Sequence, residues 1–390
     1  MGRLVVITAL LMRIIVTPSI SIARDIVNPK DYGLQKAKTG VERYEVLMRC
    51  HMDALERGVS ISYAGIDTVR LEIPKGAKSI PLTSNVDFAG SVLVVTDNYV
   101  KNFVLFELSQ KPKNIVVSKS AIDRGDLRSV NELNHGMKLL VIEDKNLWVD
   151  NRVGYSYGAK RKDVLLLKDG MSFNQVIAPY NNAESEPVCL YCDVNDIQKV
   201  IRDLTILRDS NSEYMMFPFK IEYQNNVLME NITLVTPKNS LEADKAISIN
   251  NSTNVVLRRI NAVGSYSQDG KYGYVFSMNN LWNTTFDSVD ADATWGVIGS
   301  NNLNQTRLNS CIINRFDIHC YGRDVQLTDC TIRKSEHSWY CGGSSIFGTI
   351  RYDNCTFYNT SPYANGDSYK TYVPEILLPF APVHDSVLYP

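Results

Sequence analysis

The segment Asn231-Ile232-Thr233-Leu234, an asparagine followed by alternating apolar and polar residues, recurs in variant form between Val200 and Ser361. The other copies are Asp203-Leu204-Thr205-Ile206, Arg259-Ile260-Asn261-Ala262, Thr285-Phe286-Asp287-Ser288, Ser310-Cys311-Ile312-Ile313, Asp329-Cys330-Thr331-Ile332 and Asn354-Cys355-Thr356-Phe357. Their central residues follow one another at intervals of 19 to 28 residues, a period typical of solenoids. The alternation indicates strands, and no helical periodicity separates the copies. Parallel strands without intervening helices predict a parallel β-helix, in which each rung packs on its neighbours.

The central residues of the seven copies are expected to point into the core and to stack in one column. They are Leu204, Ile232, Ile260, Phe286, Cys311, Cys330 and Cys355. Because a buried free cysteine behaves as a small hydrophobic residue, the three cysteines fit an internal stack of thiols better than a metal site. Disulfide bonds between neighbouring rungs remain open at this point.

The start of the chain and its composition bear on where the protein acts. In residues 1–23 a basic residue, Arg3, precedes the apolar run Leu4–Met12, and Ser21-Ile22-Ala23 supplies small residues for cleavage. This pattern predicts a secretory signal peptide, and hence a secreted or periplasmic protein. No apolar run is long enough for a membrane-spanning helix, so we expect no stable membrane insertion. The net charge of −1 gives no electrostatic reason to expect nucleic acid.

The remaining sequence divides into segments around the repeats. Residues 24–97 are predicted to hold an N-terminal cap and the first rungs, with a helix over Lys38–Arg57 that ends at Gly58. Residues 98–192 break the period and predict an insertion of antiparallel strands. The main β-helix is expected over 193–365, followed by a tail over 366–390. Within the insertion, Cys189 and Cys192 are close enough in sequence to close a small disulfide loop in an oxidising compartment.

The N-terminal segment opens with Asp31-Tyr32-Gly33, continues with the predicted helix and then reaches the turn Ile73-Pro74-Lys75-Gly76. In this order of elements it resembles the pectate-lyase-like superfamily. Arg315-Phe316-Asp317-Ile318-His319 is similar to a stretch found in secreted members. The resemblance implies a right-handed parallel β-helix whose N-terminal end is plugged by the helix. Because this superfamily includes hydrolases, lyases, esterases, epimerases and adhesins, and the polygalacturonase signatures are absent, the resemblance implies no particular activity.

Polar residues follow the later repeat copies at fixed offsets. Counted from Phe286, Cys311 and Cys330, the sixth residues are Asp292, Asp317 and Glu336, and the fourth residues are Asp290, Arg315 and Lys334. Alternate residues of a strand share a face, and neighbouring strands lie about 4.8 Å apart. Three carboxylates are therefore expected to stack on successive rungs, provided that a corner turns this face outward.

Stacked carboxylates disfavour joint ionisation and keep one acid protonated beside an ionised one, which is the pairing that glycoside cleavage requires. We therefore predict catalytic roles for Asp292, Asp317 and Glu336, with His319 as an assisting base or hydrogen-bond donor. The predicted substrate-binding residues are Asp290, Arg315, Lys334, Trp295, Trp339, Tyr321, Tyr340 and, from the loop Tyr266–Tyr274, Asp269. A purely structural ladder of ion pairs is the alternative for the same residues.

Three functions are compatible with this pattern. The first is hydrolysis of a polysaccharide or oligosaccharide, which requires no cofactor. The second is a polysaccharide lyase, in which the acids would bind Ca²⁺ and Arg315 or Lys334 would take the proton. The third is a non-catalytic glycan-binding surface protein. Because no cap is recognisable after residue 365, the open end of the solenoid is a candidate surface for oligomer formation.

Overall fold

The computed structural model describes residues 25–149, 159–213, 216–237, 245–264, 273–293, 296–333, 340–344, 346–358, 361–365, 375–377 and 383–384. Within these residues, twenty-two strands form one continuous parallel sheet that coils into a β-helix, as predicted. They are Ile26–Val27, Ser60–Ser62, Thr68–Glu72, Ile80–Pro81, Asn85–Thr96, Phe103–Ser109, Lys199–Arg208, Met216–Glu222, Asn225–Thr236, Ile247–Gly264, Tyr274–Asp287, Asp290–Ala291, Gly296–Asn309, Ile312–Ile313, Phe316–Thr328, Thr331–Arg333, Tyr340–Ser344, Ile346–Asp353, Thr356–Tyr358, Ser361–Asn365, Glu375–Leu377 and Val383–His384.

Each rung of the β-helix has three faces. In the rung formed by Ile247–Gly264, residues 247–250 belong to face A, 255–258 to face B and 260–264 to face C. Parallel register carries these faces from rung to rung. On face A, for example, Phe219, Ile247, Phe276, Ile298 and Phe316 pair in succession. All five side chains are buried in a core that runs the length of the solenoid.

The corner between faces B and C explains why most of the repeat copies begin with Asn, Asp or Ser. One residue per rung adopts a left-handed conformation there, with φ between 49° and 61°. These residues are Asp203, Asn231, Arg259, Ser288, Ser310, Asp329 and Asn354. Asn and Asp tolerate this conformation better than other side chains. Their amides also link rungs, since Asn231 Nδ2 donates to Asp203 Oδ1 at 2.7 Å and Asn354 Nδ2 to Asp329 Oδ1 at 2.6 Å.

The predicted inward column is correct except for one member. All seven residues are buried, but Phe286 pairs with Leu257 and Leu308 on face B. Val289 takes its place, since Ile312 N donates to Val289 O at 2.8 Å, just as Thr331 N donates to Cys311 O. The left-handed corner residue of this rung is Ser288, so the repeat copy is three residues later than predicted. Thr285-Phe286 has the polar–apolar order of a repeat copy but lacks the left-handed corner residue.

Two buried hydroxyl groups interrupt another inward column. On face B, Thr284 and Thr306 pair with one another and are flanked by Val255 and Val325. Their side chains are 0% and 2% exposed, and within the structurally described part of the chain neither hydroxyl has a hydrogen-bond partner. A buried hydroxyl without a partner costs free energy that an isosteric valine does not.

We therefore expect Thr284→Val and Thr306→Val each to raise the free energy of unfolding by about 1 kcal/mol. Thr285→Val, at the neighbouring partly exposed position, is the matched control and should change it by less than about 0.5 kcal/mol. Urea unfolding of the three variants measures the difference. Loss of stability in both core variants would show that the hydroxyls are satisfied in solution.

The N-terminal end of the core is covered by the predicted helix, α1, which spans Gly40–Arg57. It begins two residues later than predicted because Thr39 is its N-cap and forms a capping box with Glu42. It contacts the early strands Ser60–Ser62, Thr68–Glu72 and Ile80–Pro81, one from each face. Gly58 ends it with φ 65°, as predicted.

Helix α1 contributes one fully buried histidine to this contact. His51 lies 2.8 Å through Nε2 from the Tyr63 hydroxyl and 2.9 Å through Nδ1 from the Pro81 carbonyl oxygen. Burial lowers the pKa of His51 to about 4, so the imidazole is neutral near pH 7. His51 lies on the apolar face of α1, where its role is structural. In the described part of the chain, no helix is long and apolar enough to span a membrane.

The insertion is a five-stranded antiparallel sheet with its own core. Its strand order is Met171–Ser172, Ala159–Lys168, Met137–Val149, Val188–Val194 and Lys113–Ile115, and a short helix, α2, spans Lys119–Arg124. The predicted boundaries, 98 and 192, were wrong. Phe103–Ser109 pairs with Met216–Glu222 in the β-helix, and the last strand of the insertion continues to Val194. Likewise Glu375–Leu377 and Val383–His384, in the predicted tail, still pair with the β-helix.

The insertion docks on the corner between faces A and B. Three successive rungs each donate a hydrogen bond to its backbone: Asn280 Nδ2 to Asp163 O at 3.2 Å, Asn304 Nδ2 to Gln175 O at 3.3 Å, and Arg323 Nη1 to Val176 O at 3.3 Å. Trp282 also packs against the apolar face of the inserted sheet. The insertion is thus fixed to the same rungs that carry the polar residues of face A.

A buried acid lies behind this contact. Asp163 accepts hydrogen bonds from Ile177 N at 2.8 Å and from the Tyr180 hydroxyl at 2.9 Å, and the guanidinium of Arg161 lies 3.7 Å from the centre of the Tyr180 ring. Burial outweighs these contacts and raises the pKa of Asp163 to about 7. Burial likewise raises the pKa of Asp97, in the core, to about 6.

Acids with raised pKa values bind protons more tightly in the folded than in the unfolded chain. Their contribution to stability is therefore present at low pH and is lost as the pH rises through about 6 to 7. Between pH 5 and pH 8 we expect the free energy of unfolding to fall less in Asp163→Asn than in wild type, by an amount on the order of 2 kcal/mol. The exposed Asp193→Asn is the control. Parallel pH profiles of melting temperature for Asp163→Asn and wild type would contradict this expectation.

The cysteines whose side chains the structure describes, namely Cys50, Cys189, Cys192, Cys311, Cys330 and Cys355, are free and buried. The predicted loop between Cys189 and Cys192 does not form, because the two side chains lie on opposite faces of one strand and enter different apolar clusters. In the predicted column of thiols, each thiol donates a hydrogen bond to a backbone carbonyl oxygen. Cys311, Cys330 and Cys355 donate to oxygens two residues upstream at 3.3 to 3.4 Å.

Candidate functional site

Asp317 occupies an outward position on face A. Its neighbours Phe316 and Ile318 are in the core, with 1% and 0% exposure, so the alternation of the strand points Asp317 away from it. The corner that this orientation requires lies between Cys311, on face C, and Phe316. Nevertheless, Asp317 is only 8% exposed. An outward acid that is almost covered must be surrounded by other outward side chains.

Two side chains surround the Asp317 carboxylate. Arg315 forms an ion pair with Oδ2 through Nη2, and both side chains are about nine-tenths buried. The Tyr274 hydroxyl donates to the same oxygen at 3.2 Å. A carboxylate held by a guanidinium and a phenol is fixed in one orientation.

Two glycines of the neighbouring rung make room for these partners. A Cβ on Gly296 would lie 3.1 Å from three atoms of the Arg315 side chain, and a Cβ on Gly299 would lie within 2.5 Å of the Tyr274 ring. Any other residue at 299 would therefore displace the tyrosine. Gly299 is also the register partner of Asp317 on the adjacent strand.

The strand that carries Asp317 is irregular at His319. Ser300 pairs with Ile318, but the next pair is Asn301 with Cys320, so His319 is an extra residue without a partner on that side. Such β-bulges re-aim nearby side chains and are common next to active sites. The bulge places an irregular backbone position two residues from Asp317.

The predicted ladder of three carboxylates was wrong in its register. Asp317 pairs with Gly299 on one side and Gly342 on the other, whereas Asp292 follows the strand Asp290–Ala291 on face C. Asp290 pairs with Ile312, so it is not in register with Arg315, although the two have the same offset in the sequence. Both errors follow from counting offsets from Phe286 instead of Val289. Asp290 and Asp292 are exposed.

The structure describes only part of the predicted set. Asp269, Trp295, Lys334, Glu336 and Trp339 lie outside the described residues, and for His319, Tyr321 and Tyr340 only the backbone is described. Their predicted roles therefore remain predictions. Within the described ranges, no group of three His, Cys, Asp or Glu side chains could hold a metal ion.

Gly296 and Gly299 were not predicted as site residues. Tyr274 is the last residue of the candidate loop Tyr266–Tyr274, in which the sequence favours Asp269 and not Tyr274. The available signal was the pair of glycines in Gly296-Val-Ile-Gly299, because an isolated glycine inside a strand indicates close approach of another group.

Neither a protein-family model nor a curated protein matches this chain. Among solved structures, it is similar to the tailspike protein gp49 from Pseudomonas phage LKA1, with 14% identity, a TM-score of 0.53, and coverage of 85% of this chain and 64% of that chain. The gp54 tailspike of Acinetobacter baumannii bacteriophage AP22, solved in complex with a capsular saccharide, is 14% identical with a TM-score of 0.46 and coverage of 85% and 58%. The chain thus spans about three fifths of the length of these two proteins. At this identity, the similarity to gp49 shows a shared parallel β-helix fold.

Proposed function

We propose that this chain binds a polysaccharide on face A and cleaves its glycosidic bonds at Asp317. The observation that carries the proposal is the set of Asp317, Arg315 and Tyr274, in which two donors orient one outward carboxylate. Oriented carboxylates are the working groups of most glycoside hydrolases.

The ion pair with Arg315 supports one role for Asp317 within this proposal. A positive charge beside a carboxylate favours its ionised form, so we propose Asp317 as the base or nucleophile and another group as the proton donor. Because Asp292 follows a strand on face C, Glu336 is the candidate that we retain for the proton donor, and His319, at the bulge, assists. Hydrolysis by these groups uses no cofactor.

Other proposed features follow from the sequence. Arg315 is also a substrate-binding candidate, together with Asp290, Lys334, Tyr321, Tyr340 and the tryptophans. The pattern in residues 1–23 supports export, since it has the order of a secretory signal. Export would bring the protein into contact with extracellular polysaccharides.

A panel of purified polysaccharides tests the proposal. It includes bacterial capsular polysaccharides, the class of ligand in the gp54 structure, and polyuronates, each incubated with and without chelator. New reducing ends without ultraviolet absorbance are expected. Products with a new double bond would replace the hydrolase by a Ca²⁺-dependent lyase, and binding without cleavage would replace it by an adhesin.

A further inference from the structure

We propose that Ser300 is a positioning residue for Asp317, acting from the core side of face A. The inference rests on the proposed function, because it concerns the acid to which that function assigns the reaction. The Ser300 hydroxyl group holds the backbone of the strand Phe316–Thr328 at Asp317, next to the bulge at His319.

The first argument is that Ser300 interrupts an apolar column. The alternation of its strand points Ser300 into the core, where it is 1% exposed. The inward positions that continue this column on neighbouring rungs are apolar, namely Ile221, Ile249, Met278 and Ile318. An apolar side chain at position 300 would bury more apolar surface than serine does. The hydroxyl group at this position therefore calls for a role other than packing.

The second argument is the hydrogen bond that this hydroxyl group makes. Ser300 Oγ donates to Asp317 O, on the next rung, at 2.8 Å. Because the oxygen belongs to Asp317 itself, the bond fixes the backbone from which the carboxylate projects. Ser300 and Ile318 are also the last regular pair before the bulge, since Asn301 pairs with Cys320. The hydroxyl group thus adds a hydrogen bond where the regular register ends.

The third argument is that Gly299 and Ser300 support Asp317 from the two sides of the sheet. On the outward side, Gly299 leaves room for Tyr274, whose hydroxyl donates to the Asp317 carboxylate at 3.2 Å. On the inward side, Ser300 holds the carbonyl oxygen of the same residue. A displacement of about 1 Å at a reacting group can lower a rate about 100-fold. Loss of the inward contact should therefore act on turnover through the position of Asp317.

Two variants separate the hydroxyl group from the space that it occupies. Ser300→Ala removes the hydrogen bond to Asp317 O, so we expect kcat to fall about 10-fold while KM changes less than about 2-fold. Ser300→Thr keeps a hydroxyl group on a residue that strands favour, so we expect its kcat to stay within about 3-fold of wild type. Both constants are measured from reducing ends released from the polysaccharide of the panel that wild type cleaves.

Ser91→Ala is the matched control. Ser91 is also fully buried, and its hydroxyl group donates to the carbonyl oxygen of Ile66, 25 residues upstream, at 2.5 Å. It lies several rungs before Asp317. Because the control loses the same kind of hydrogen bond, its melting temperature should fall as it does in Ser300→Ala, whereas its turnover should remain that of wild type.

Hydrogen exchange of backbone amides supplies a readout that needs no substrate. If Ser300 holds the strand at the bulge, the amides of residues 317–321 should exchange about 10-fold faster in Ser300→Ala than in wild type. They should return to the wild-type rate in Ser300→Thr. A general loss of stability would also raise their exchange in Ser91→Ala, whereas a local effect would not.

The outcomes distinguish the two proposals. If exchange at residues 317–321 is the same in Ser300→Ala as in wild type, the positioning role is overturned whatever the panel shows. If exchange rises but kcat does not fall, Ser300 is a structural anchor only, and the proposed hydrolysis stands without it. If wild type cleaves no polysaccharide of the panel, hydrolysis is overturned, and with it the reaction that Ser300 would serve. Faster exchange with a lower kcat in Ser300→Ala, both restored in Ser300→Thr, supports the inference.

Discussion

Replacing Asp317 by Asn is expected to lower the turnover of the cleaved polysaccharide by about two to four orders of magnitude. The amide keeps the shape of the carboxylate but cannot act as a base, and it is a far weaker nucleophile. Because Arg315 and Tyr274 orient the carboxylate through Oδ2, the amide should remain in the same place. Binding of the polysaccharide should therefore change much less than turnover.

Stability needs a control in this experiment, because Asp317→Asn also removes the charge that faces a buried guanidinium. Loss of one partner of a buried ion pair costs about 3 kcal/mol or more, so the variant should melt at a lower temperature while remaining folded. Asp287→Asn is the matched control. It removes an outward acid that pairs with Arg258 at 3.2 Å on face B, where the carboxylate is 35% exposed. This control should retain turnover.

Turnover above a tenth of wild type in folded Asp317→Asn protein would remove Asp317 from the catalytic set. In that case Arg315, Asp317 and Tyr274 would form a structural network. Equal losses in Asp317→Asn and Asp287→Asn would indicate that the charge changes act through stability and not through the site.

The fold was predictable because its signals are local and repeated. Each rung needs apolar residues at alternate positions and a left-handed residue at the corner between faces B and C, and both requirements leave a mark in the sequence. The error at Phe286 shows the limit of this reasoning. Apolar alternation alone places the repeat copy at Thr285-Phe286. A left-handed residue before the inward one is also required, and this requirement places the copy at Ser288-Val289.

The candidate site was less predictable because it depends on register between rungs. The segments that lead from face C to face A vary in length, so a fixed offset from face C does not reach the same position on face A in every rung. The bulge at His319 adds one more shift. Asp317 was selected through the predicted ladder, whose register is wrong. Its outward orientation depends only on the alternation of its own strand, whereas the contact with Tyr274 spans two strands and 43 residues.

Leu47→Asp is expected to lower the free energy of unfolding by roughly 3–5 kcal/mol, the second large effect. Leu47 is 0% exposed on helix α1, which covers the N-terminal end of the core. A carboxylate at this position would either lose its hydration without a partner or force the helix off the first rung. Both outcomes expose apolar surface that a solenoid must cap.

The same helix supplies the control for this prediction. Leu55 is 48% exposed, so Leu55→Asp adds the same charge to α1 without burying it and should change stability by less than about 0.5 kcal/mol. Urea unfolding of both variants measures the difference. Similar losses in the two variants would mean that the charge weakens the helix itself, for instance near its C-terminus, where a negative charge opposes the helix dipole. An unchanged Leu47→Asp protein would mean that α1 does not seal the core, and the N-terminal rungs would then have to be stabilised by their strand pairing alone.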